Sequence, residues 1–292
     1  MAMQFNTENS FIINEEEFLL LRDLIYEHCG LWFDDHNSYL LEKRLARRLV
    51  LHNFDSFYDY YQFLKLSRKR TQELDEIMDI LTTNETYFFR ESFQLDAFSK
   101  EIIPEICNEK EKNNKERSIR IWSAGCSSGE EPYTIAMLLL EMPFIKDWKV
   151  EIVGTDISQR VLQLARRGIY GQSAFRATED YFIRQYFSKQ ETGYRIDDRV
   201  RELVSLSHLN LLDQNRIAML GDFDLIFCRN VIIYFDLTAK KQVIDSFHQS
   251  LNQGGYLLLG HSESLMNITT KFMLRHFRND MVYQKPVNGT AS

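Results

Sequence analysis

Two neighbouring glutamates, Glu130 and Glu131, are the residues whose position first suggests chemistry. They close a loop of glycine, cysteine and serine at 125–129, which follows an apolar run at 119–123. A loop of small residues lets a ligand approach the backbone and reach the N–H groups that the start of a helix leaves unpaired. Two carboxylates disfavour a pyrophosphate there and favour a cationic ligand. The alternative is that both glutamates only stabilise the positive end of the helix.

Asp156 is the second chemical signal, because it ends the apolar run 150–155 at roughly the interval expected of a ribose-binding carboxylate. Ligands of open parallel sheets bind beyond the carboxyl ends of the strands. The glycine loop lacks the third glycine of GxGxxG, so pyrophosphate binding is not predicted. A nucleoside with a positive charge and no phosphate satisfies both signals, and S-adenosylmethionine is such a molecule. The structural alternative for Asp156 is a helix N-cap.

The elements that must position these residues alternate between apolar strands and helices. Strands are predicted at 119–123, 150–155, 223–228 and 255–260, and helices at 131–142, 158–167 and 238–252. This order predicts an α/β fold with a largely parallel sheet that is covered by helices on both faces.

Two further patterns modify this sheet. Short strand-like pieces at 194–196 and 203–206 predict a small antiparallel insert at the edge of the sheet. The runs 272–277 and 281–284 predict a closing hairpin.

The first third of the chain has a helical pattern instead. Apolar residues recur at intervals of three and four from Glu15 to about Pro104, which predicts four or five short helices and no strand. Asn14 is a predicted N-cap and Gly30 a predicted helix end. The polar run 109–117 is expected to be an exposed loop.

Composition limits the class of protein. The 292 residues are 44% hydrophobic, which is enough for one large or two modest folded domains. There is no apolar run of about 18 residues, and no signal peptide at the acidic start, so we expect a cytoplasmic protein without membrane insertion. The net charge of −7 argues against nucleic-acid binding.

Four segments together resemble the chemotaxis receptor glutamate methyltransferases, the CheR family. They are Thr-Thr-Asn-Glu-Thr-Tyr-Phe-Phe-Arg-Glu at 82–91, the loop and helix start at 124–133, Phe-Cys-Arg-Asn-Val-Ile-Ile-Tyr-Phe-Asp at 227–236, and Gly-His-Ser-Glu-Ser at 260–264. The resemblance extends from about Phe18 to Lys285. It implies an all-α domain at 1–90, a linker helix and polar loop at 91–118, and a Rossmann-like methyltransferase domain at 119–292 with a β-subdomain inserted at about 170–205.

The resemblance also implies the reaction and its residues. A methyl group would pass from S-adenosylmethionine to glutamate side chains on the cytoplasmic helices of chemoreceptors, leaving S-adenosyl-L-homocysteine. Arg90 and Tyr234 would face the reacting methyl, and no metal is expected. The implied cofactor contacts are Asn84, Thr86, Arg90, Glu131, Asp156, Asn210, Leu211, Arg229 and Asn230. Glu131 is preferred to Glu130, although spacing alone does not separate the two.

An acceptor carboxylate is already ionised at neutral pH, so such an enzyme needs to position its reactants and does not need a general base. Arg90 or Arg229 is a candidate to hold that carboxylate through charge-assisted hydrogen bonds. Two alternatives remain from the sequence. One is a methyltransferase of the same fold with a small-molecule or other protein substrate, and the other is a catalytically silent scaffold that binds the cofactor.

Partner contacts are predicted from charge and from one turn. Lys43, Arg44, Arg47 and Arg48 would dock the acidic receptor helices, and the alternative for them is a solvated helix face. The turn 188–193 is shorter than in relatives that tether to a receptor pentapeptide, so no such tethering is expected. We expect a monomer.

Overall fold

The computed structural model of the protein describes residues 11–278 and 280–287. The chain divides into two compact units, Met1–Thr83 and Asn84–Ser292. The domain boundaries expected at residues 90 and 118 stay predictions.

The first unit is helical, as predicted. Its helices are α1 (Glu15–Cys29), α2 (Ser38–His52), α3 (Phe57–Leu66) and α4 (Arg70–Leu81), with a short 3-10 helix at Asp35–Asn37. The side chains of Asn14 and Glu17 each accept the backbone N–H of the other, which forms a capping box at the start of α1. Gly30 ends α1 in the left-handed conformation at φ 75°.

A buried carboxylate connects three helices of this unit. Glu73 in α4 is only 4% exposed, and it accepts hydrogen bonds from Arg48 Nε at 2.8 Å, Tyr60 Oη at 2.5 Å and His52 Nε2 at 2.9 Å. Burial raises the pKa of Glu73, but the bonds from Arg48, Tyr60 and His52 outweigh it and hold the pKa below its usual range. Glu73 therefore ties α4 to α2 and α3 as an ionised carboxylate.

The second unit is an α/β fold, which confirms the predicted fold class. Its strands are β1 (Ser118–Ala124), β2 (Lys149–Asp156), β3 (Ile169–Tyr170), β4 (Phe187–Gln190), β5 (Gly193–Ile196), β6 (Val204–His208), β7 (Phe223–Cys228), β8 (Leu251–Leu259), β9 (Met273–His276) and β10 (Met281–Gln284). Within the described residues, seven strands form one sheet in the order β6-β2-β1-β7-β8-β10-β9. The first five are parallel, and β10 and β9 close the sheet as the predicted antiparallel hairpin. Asn279, which lies between these two strands in sequence, is outside the described residues.

Helices precede these strands and connect them. They are α5 (Ser92–Ala97), which continues through a π-helical turn (Phe98–Ile102) into α6 (Ile103–Lys112), then α7 (Glu130–Leu140), α8 (Gln159–Arg167), α9 (Asp180–Tyr186), α10 (Asp198–Arg201), α11 (Gln214–Ala218) and α12 (Leu237–Ser250). Short 3-10 helices lie at Pro143–Ile145, Gln172–Phe175 and Ile232–Tyr234. In the described part of the chain no helix is long and apolar enough to cross a membrane.

Two local predictions were wrong. The piece 203–206 does not belong to the insert, because Val204–His208 pairs in parallel with β2 as the edge strand of the main sheet. Its serines and histidine are typical of a strand at a solvated edge. Strands of a small surface insert are also polar, so composition does not distinguish the two. The polar run at 109–117 is not all loop, since α6 continues to Lys112, with the exposed side chains of Glu109 and Lys112 paired at 3.1 Å.

The insert is a separate antiparallel sheet in the order β3-β5-β4. It packs against the segment 84–91 through aromatic side chains. The Phe88 ring stacks on Phe175 with centroids 5.3 Å apart and meets Phe187 edge-on at 5.1 Å, while Phe89 lies 4.4 Å from Phe182. The Phe88 N–H donates to the carbonyl of Ala174 at 2.9 Å. The insert therefore fixes the segment that carries Asn84, Thr86 and Arg90.

Candidate functional site

The glycine loop 125–129 turns sharply between β1 and α7, beside the switch point at which the sheet extends from β1 to β2 on one side and to β7 on the other. Gly125 and Gly129 have φ values of 81° and 93°, which favour glycine. A Cβ on Gly125 would lie 2.4 Å from Val231 Cγ2. The loop thus needs glycine both for its conformation and for the space beside the segment that follows β7.

Asp156 at the end of β2 holds this loop. Its Oδ2 accepts the Ser127 N–H at 2.8 Å and its Oδ1 accepts the Ser158 N–H at 2.9 Å. Burial raises the pKa of Asp156, against the lowering effect of these N–H groups. The N-cap of α8 is Ser158 rather than Asp156, because the Ser158 side chain accepts the Val161 N–H. Each carboxylate oxygen of Asp156 can accept a further hydrogen bond, as a ribose requires.

Glu130 and Glu131 have different surroundings despite their adjacency. Glu131 Oε1 accepts from Ser123 Oγ at 2.7 Å, and its Oε2 accepts from Arg229 Nε at 2.6 Å. Glu130 is 4% exposed and accepts from Ser128 Oγ at 2.8 Å. Burial raises the pKa of Glu130 to about 7. Glu131 therefore joins the carboxyl ends of β1 and β7, whereas Glu130 is enclosed beside its own loop.

Arg229 is the central cation of this region and is almost completely buried. Besides Glu131, its Nη1 donates to the carbonyl of Arg90 at 2.9 Å and lies 3.5 Å from Glu91 Oε2. Its side chain is 3% exposed. With three partners in the protein, Arg229 is placed to orient Glu131 and the segment 84–91. Arg90 is the better candidate to hold an incoming carboxylate, because its Nη1 donates to the carbonyl of Glu85 in a partly exposed position.

The segment 84–91 reaches the glycine loop through a bent backbone. Phe89 and Glu91 have positive φ values of 60° and 57°, which are strained for such residues. Thr134 in α7 accepts the Phe89 N–H at 3.2 Å, and the carbonyl of Asn84 accepts from Ser127 Oγ at 3.4 Å. Neighbouring packing thus maintains the strained backbone. It brings Asn84 to the glycine loop, with Thr86 and Arg90 on the same segment.

Two more predicted residues follow β7. Asn230 has a φ of 59°, and its buried Oδ1 has no hydrogen-bond partner within the described residues. Buried polar atoms are nearly always paired, so this acceptor is suited to a donor on a ligand. Tyr234 ends the 3-10 helix of the same segment with 38% of its surface exposed. It is therefore accessible to a large substrate.

The last predicted pair follows β6, beside the end of β2. Leu209 donates its N–H to the carbonyl of Asp156 at 3.0 Å, which places Asn210 and Leu211 near that carboxylate. Asn210 Oδ1 accepts the Leu212 N–H at 3.0 Å, and Leu211 is 7% exposed. A tight turn with a buried leucine is compatible with one face of an adenine ring.

Comparison with known proteins identifies the family. Residues 84–280 match a model described as the CheR methyltransferase, SAM binding domain, and residues 16–82 match the CheR methyltransferase, all-alpha domain. This chain belongs to the CheR methyltransferase family. The resemblance drawn from the four segments is confirmed, and so is S-adenosylmethionine as the cofactor.

Several relatives of this CheR chain match most of its length. Chemotaxis protein methyltransferase 2 of Vibrio cholerae is 37% identical over 97% of this chain and 97% of its own. Chemotaxis protein methyltransferase of Borreliella burgdorferi is 39% identical, covering 88% of this chain and 93% of its own. Chemotaxis protein methyltransferase 1 of Pseudomonas aeruginosa is 32% identical, covering 92% and 97%.

The residues of this CheR site fit the cofactor in charge. Arg229 faces two carboxylates, Glu91 and Glu131, and Asp156 adds a third on the neighbouring loop. A site with this net negative charge suits a ligand that carries an ammonium and a sulfonium group and no phosphate. The Oδ1 of Asn230, which has no partner in the described part of the chain, is a further acceptor for that ligand.

The four basic residues predicted to dock a partner differ in their availability. Arg48 binds Glu73 with a 2.5 Å contact, and Arg44 Nη1 donates to the carbonyl of Leu81. Lys43 and Arg47 are exposed one helical turn apart on α2. The structure therefore gives Arg44 and Arg48 roles inside the first unit and leaves Lys43 and Arg47 as the surface charges.

Sequence reasoning missed three polar residues of this site. Ser123 and Glu91 contact Glu131 and Arg229, and Glu263 accepts backbone N–H groups of the segment after β7. A signal for Glu263 was present, because it lies in the Gly-His-Ser-Glu-Ser segment that carried the resemblance.

Proposed function

We propose that this CheR protein transfers a methyl group from S-adenosylmethionine to glutamate carboxylates on chemoreceptor cytoplasmic helices. The observation that carries the proposal is the pair of carboxylates at the glycine loop: Glu131, which is bound by Arg229, and Asp156, which accepts the Ser127 N–H. Together they form an acidic site that suits a cationic nucleoside without phosphate. The names of the relatives, which are chemotaxis protein methyltransferases, support a receptor as the substrate.

For this reaction the protein must align the acceptor oxygen with the methyl carbon and the sulfur. An ionised acceptor oxygen forms a bond to the methyl carbon while the carbon–sulfur bond breaks, and its electron pair stays on sulfur. No proton moves, because a glutamate is ionised at neutral pH and its ester is neutral. Arg90 is proposed to hold the acceptor carboxylate, and Tyr234 to orient it toward the methyl. Asn84, Thr86, Asn210, Leu211 and Asn230 are proposed to surround the cofactor with Glu131 and Asp156.

We propose Lys43 and Arg47 as the docking charges for acidic receptor helices, with Arg44 and Arg48 supporting them from within the first unit. Exposed cations on one face of a helix attract an acidic helix and speed association. The short β4–β5 turn, residues 191–192, supports the absence of pentapeptide tethering. We also propose a monomeric protein in the cytoplasm, where these receptor helices lie.

The decisive experiment uses methyl-labelled cofactor and receptor cytoplasmic fragments. Base-labile label on glutamate is expected with the wild-type protein, and Arg90→Ala should abolish it while its circular dichroism spectrum is unchanged. Arg199→Ala is the matched control, because that arginine pairs with Asp197 in an exposed position on the insert. Cofactor binding without label on any receptor would contradict the proposal and favour a scaffold or a different substrate.

A further inference from the structure

Glu263, in the loop after β8, accepts four backbone hydrogen bonds with one carboxylate. Its Oε2 accepts the N–H groups of Gly260 at 2.7 Å and Asn230 at 2.8 Å, and its Oε1 accepts those of Val231 at 2.9 Å and Ile233 at 3.2 Å. Three of these donors belong to one short stretch of chain. The carboxylate therefore fixes the backbone of that stretch rather than a side chain.

The fixed stretch is 229–234, which carries Arg229, Asn230 and Tyr234. Its backbone is strained at Asn230, whose φ of 59° places it in the left-handed region. Successive N–H groups that point to one side form an anion-binding concavity, and a carboxylate inside it stabilises that conformation. Without Glu263, these donors would lose their acceptor and the left-handed turn would lose these four hydrogen bonds.

Gly260 makes the approach of these two chains possible. A Cβ at residue 260 would lie 2.9 Å from Glu263 Oε2 and 2.9 Å from the backbone nitrogen of Asn230. Both contacts are shorter than real Cβ contacts, so an alanine would push the carboxylate and the turn apart. The glycine and the glutamate of the Gly-His-Ser-Glu segment thus serve the same contact.

We propose that Glu263 is a positioning residue for methyl transfer, which sets Asn230 and Tyr234 through the backbone of 229–234. The turnover assay of this inference rests on the proposed function, because it needs a receptor substrate. The binding assay needs only the cofactor and does not depend on the substrate. Because Glu263 acts through the backbone, it contacts neither the acceptor nor the methyl group.

The test is Glu263→Gln, which keeps the shape of the side chain and replaces one acceptor oxygen by a donor NH₂. Two of the four N–H groups then face a donor, so the turn relaxes. We expect calorimetric affinity for S-adenosyl-L-homocysteine to fall by roughly tenfold or more. With receptor fragments, kcat should fall further than cofactor affinity. Gly260→Ala should give the same pattern, and the double variant should be little worse than either single one.

Asp224→Asn is the matched control for a general loss of stability. Asp224 is also a buried carboxylate that accepts three bonds, from Lys110 Nζ at 2.6 Å, the Arg120 N–H at 3.0 Å and Asn252 Nδ2 at 2.9 Å. It lies near the amino end of β7, whereas 229–234 follows the carboxyl end. Its variant should lower the melting temperature and leave cofactor affinity within about twofold of wild type.

The proposal is overturned if Glu263→Gln binds S-adenosyl-L-homocysteine with wild-type affinity. It is also overturned if Glu263→Gln and Asp224→Asn have the same melting temperature and lose cofactor affinity and kcat to the same extent. Failure of the proposed function gives a different result. The wild-type protein would then label no receptor, while the affinity difference between the Glu263 and Asp224 variants would persist.

Discussion

Replacing each of the two adjacent glutamates by glutamine should separate their roles. Glu131→Gln removes the charge that pairs with Arg229 Nε at 2.6 Å, in a place where the two side chains are 13% and 3% exposed. In the proposed site, the Glu131 carboxylate also accepts a charged hydrogen bond from the ammonium group of the cofactor. Such a bond contributes about 1.5–3 kcal/mol, so S-adenosyl-L-homocysteine should bind roughly 10- to 150-fold more weakly to Glu131→Gln.

Glu130→Gln should instead change stability. Burial raises the pKa of Glu130 from 4.5 to about 7. Between these pH values the native state binds more protons than the unfolded state, so the free energy of unfolding falls as pH rises through this window. A shift of that size corresponds to about 3 kcal/mol above pH 7. A glutamine side chain avoids this penalty and still accepts the Ser128 hydroxyl, so the variant should be more stable than wild type at pH 8 and similar to it at pH 5.

Two measurements on both variants test this reasoning. Isothermal titration calorimetry at pH 7 and 8 gives the affinity for the cofactor product, and urea denaturation at pH 5 and 8 gives the free energy of unfolding. Glu130→Gln is expected to bind within about twofold of wild type, since its carboxylate faces Ser128. The assignment is refuted if Glu130→Gln weakens binding as much as Glu131→Gln, or if it is no more stable than wild type at pH 8.

Three further predictions follow from other contacts. Glu73→Gln should destabilise the protein by about 3–5 kcal/mol, because the largely buried Arg48 then keeps only the 3.4 Å ion pair with the exposed Glu76, whereas Glu76→Gln should change stability by less than about 1 kcal/mol in urea denaturation. Lys43→Glu with Arg47→Glu should slow receptor methylation and reduce its salt dependence at unchanged cofactor affinity, and unchanged kinetics relative to the control Lys65→Glu with Lys69→Glu would contradict the docking proposal. Gly125→Ala should lower both melting temperature and cofactor affinity, because its Cβ would lie 2.4 Å from Val231 Cγ2, and normal values for both would show that the loop adapts.

Periodicity predicted the architecture well because strand and helix patterns are local. The parallel strands and their covering helices follow from apolar runs of the right length, and the closing hairpin follows from two such runs around a polar turn. The strand Val204–His208 was assigned to the wrong sheet, because its partner β2 lies about fifty residues away in sequence and polar edge strands resemble strands of an insert. Neighbours of that kind are set by tertiary packing.

The site shows the same limit. Residue types and spacing predicted an acidic, phosphate-free nucleoside site. Most of the residues predicted for it lie at the carboxyl ends of β1, β2, β6 and β7, whereas Asn84, Thr86 and Arg90 lie on the segment 84–91 beside the glycine loop. Spacing did not reveal which charges pair with each other. Arg48 pairs with Glu73 in another helix, and Arg229, which follows β7, pairs with Glu131 at the start of α7. A charged side chain that the sequence predicts to be on the surface or to bind a ligand can thus be paired with another residue of the protein instead.

The aromatic contact between the insert and Phe88 has a consequence for protein engineering. The buried side of the insert, with Phe175 and Phe187, is fitted to the segment 84–91, whereas the outer edge of β4 is exposed. A chimera that receives a relative's insert alone would therefore mismatch Phe88 and disturb cofactor binding. Exchange of the insert together with 84–91 should transfer a new edge strand without that loss. The buried side and the exposed edge of this small sheet can thus diverge at different rates, the buried side together with the segment 84–91 and the edge without that constraint.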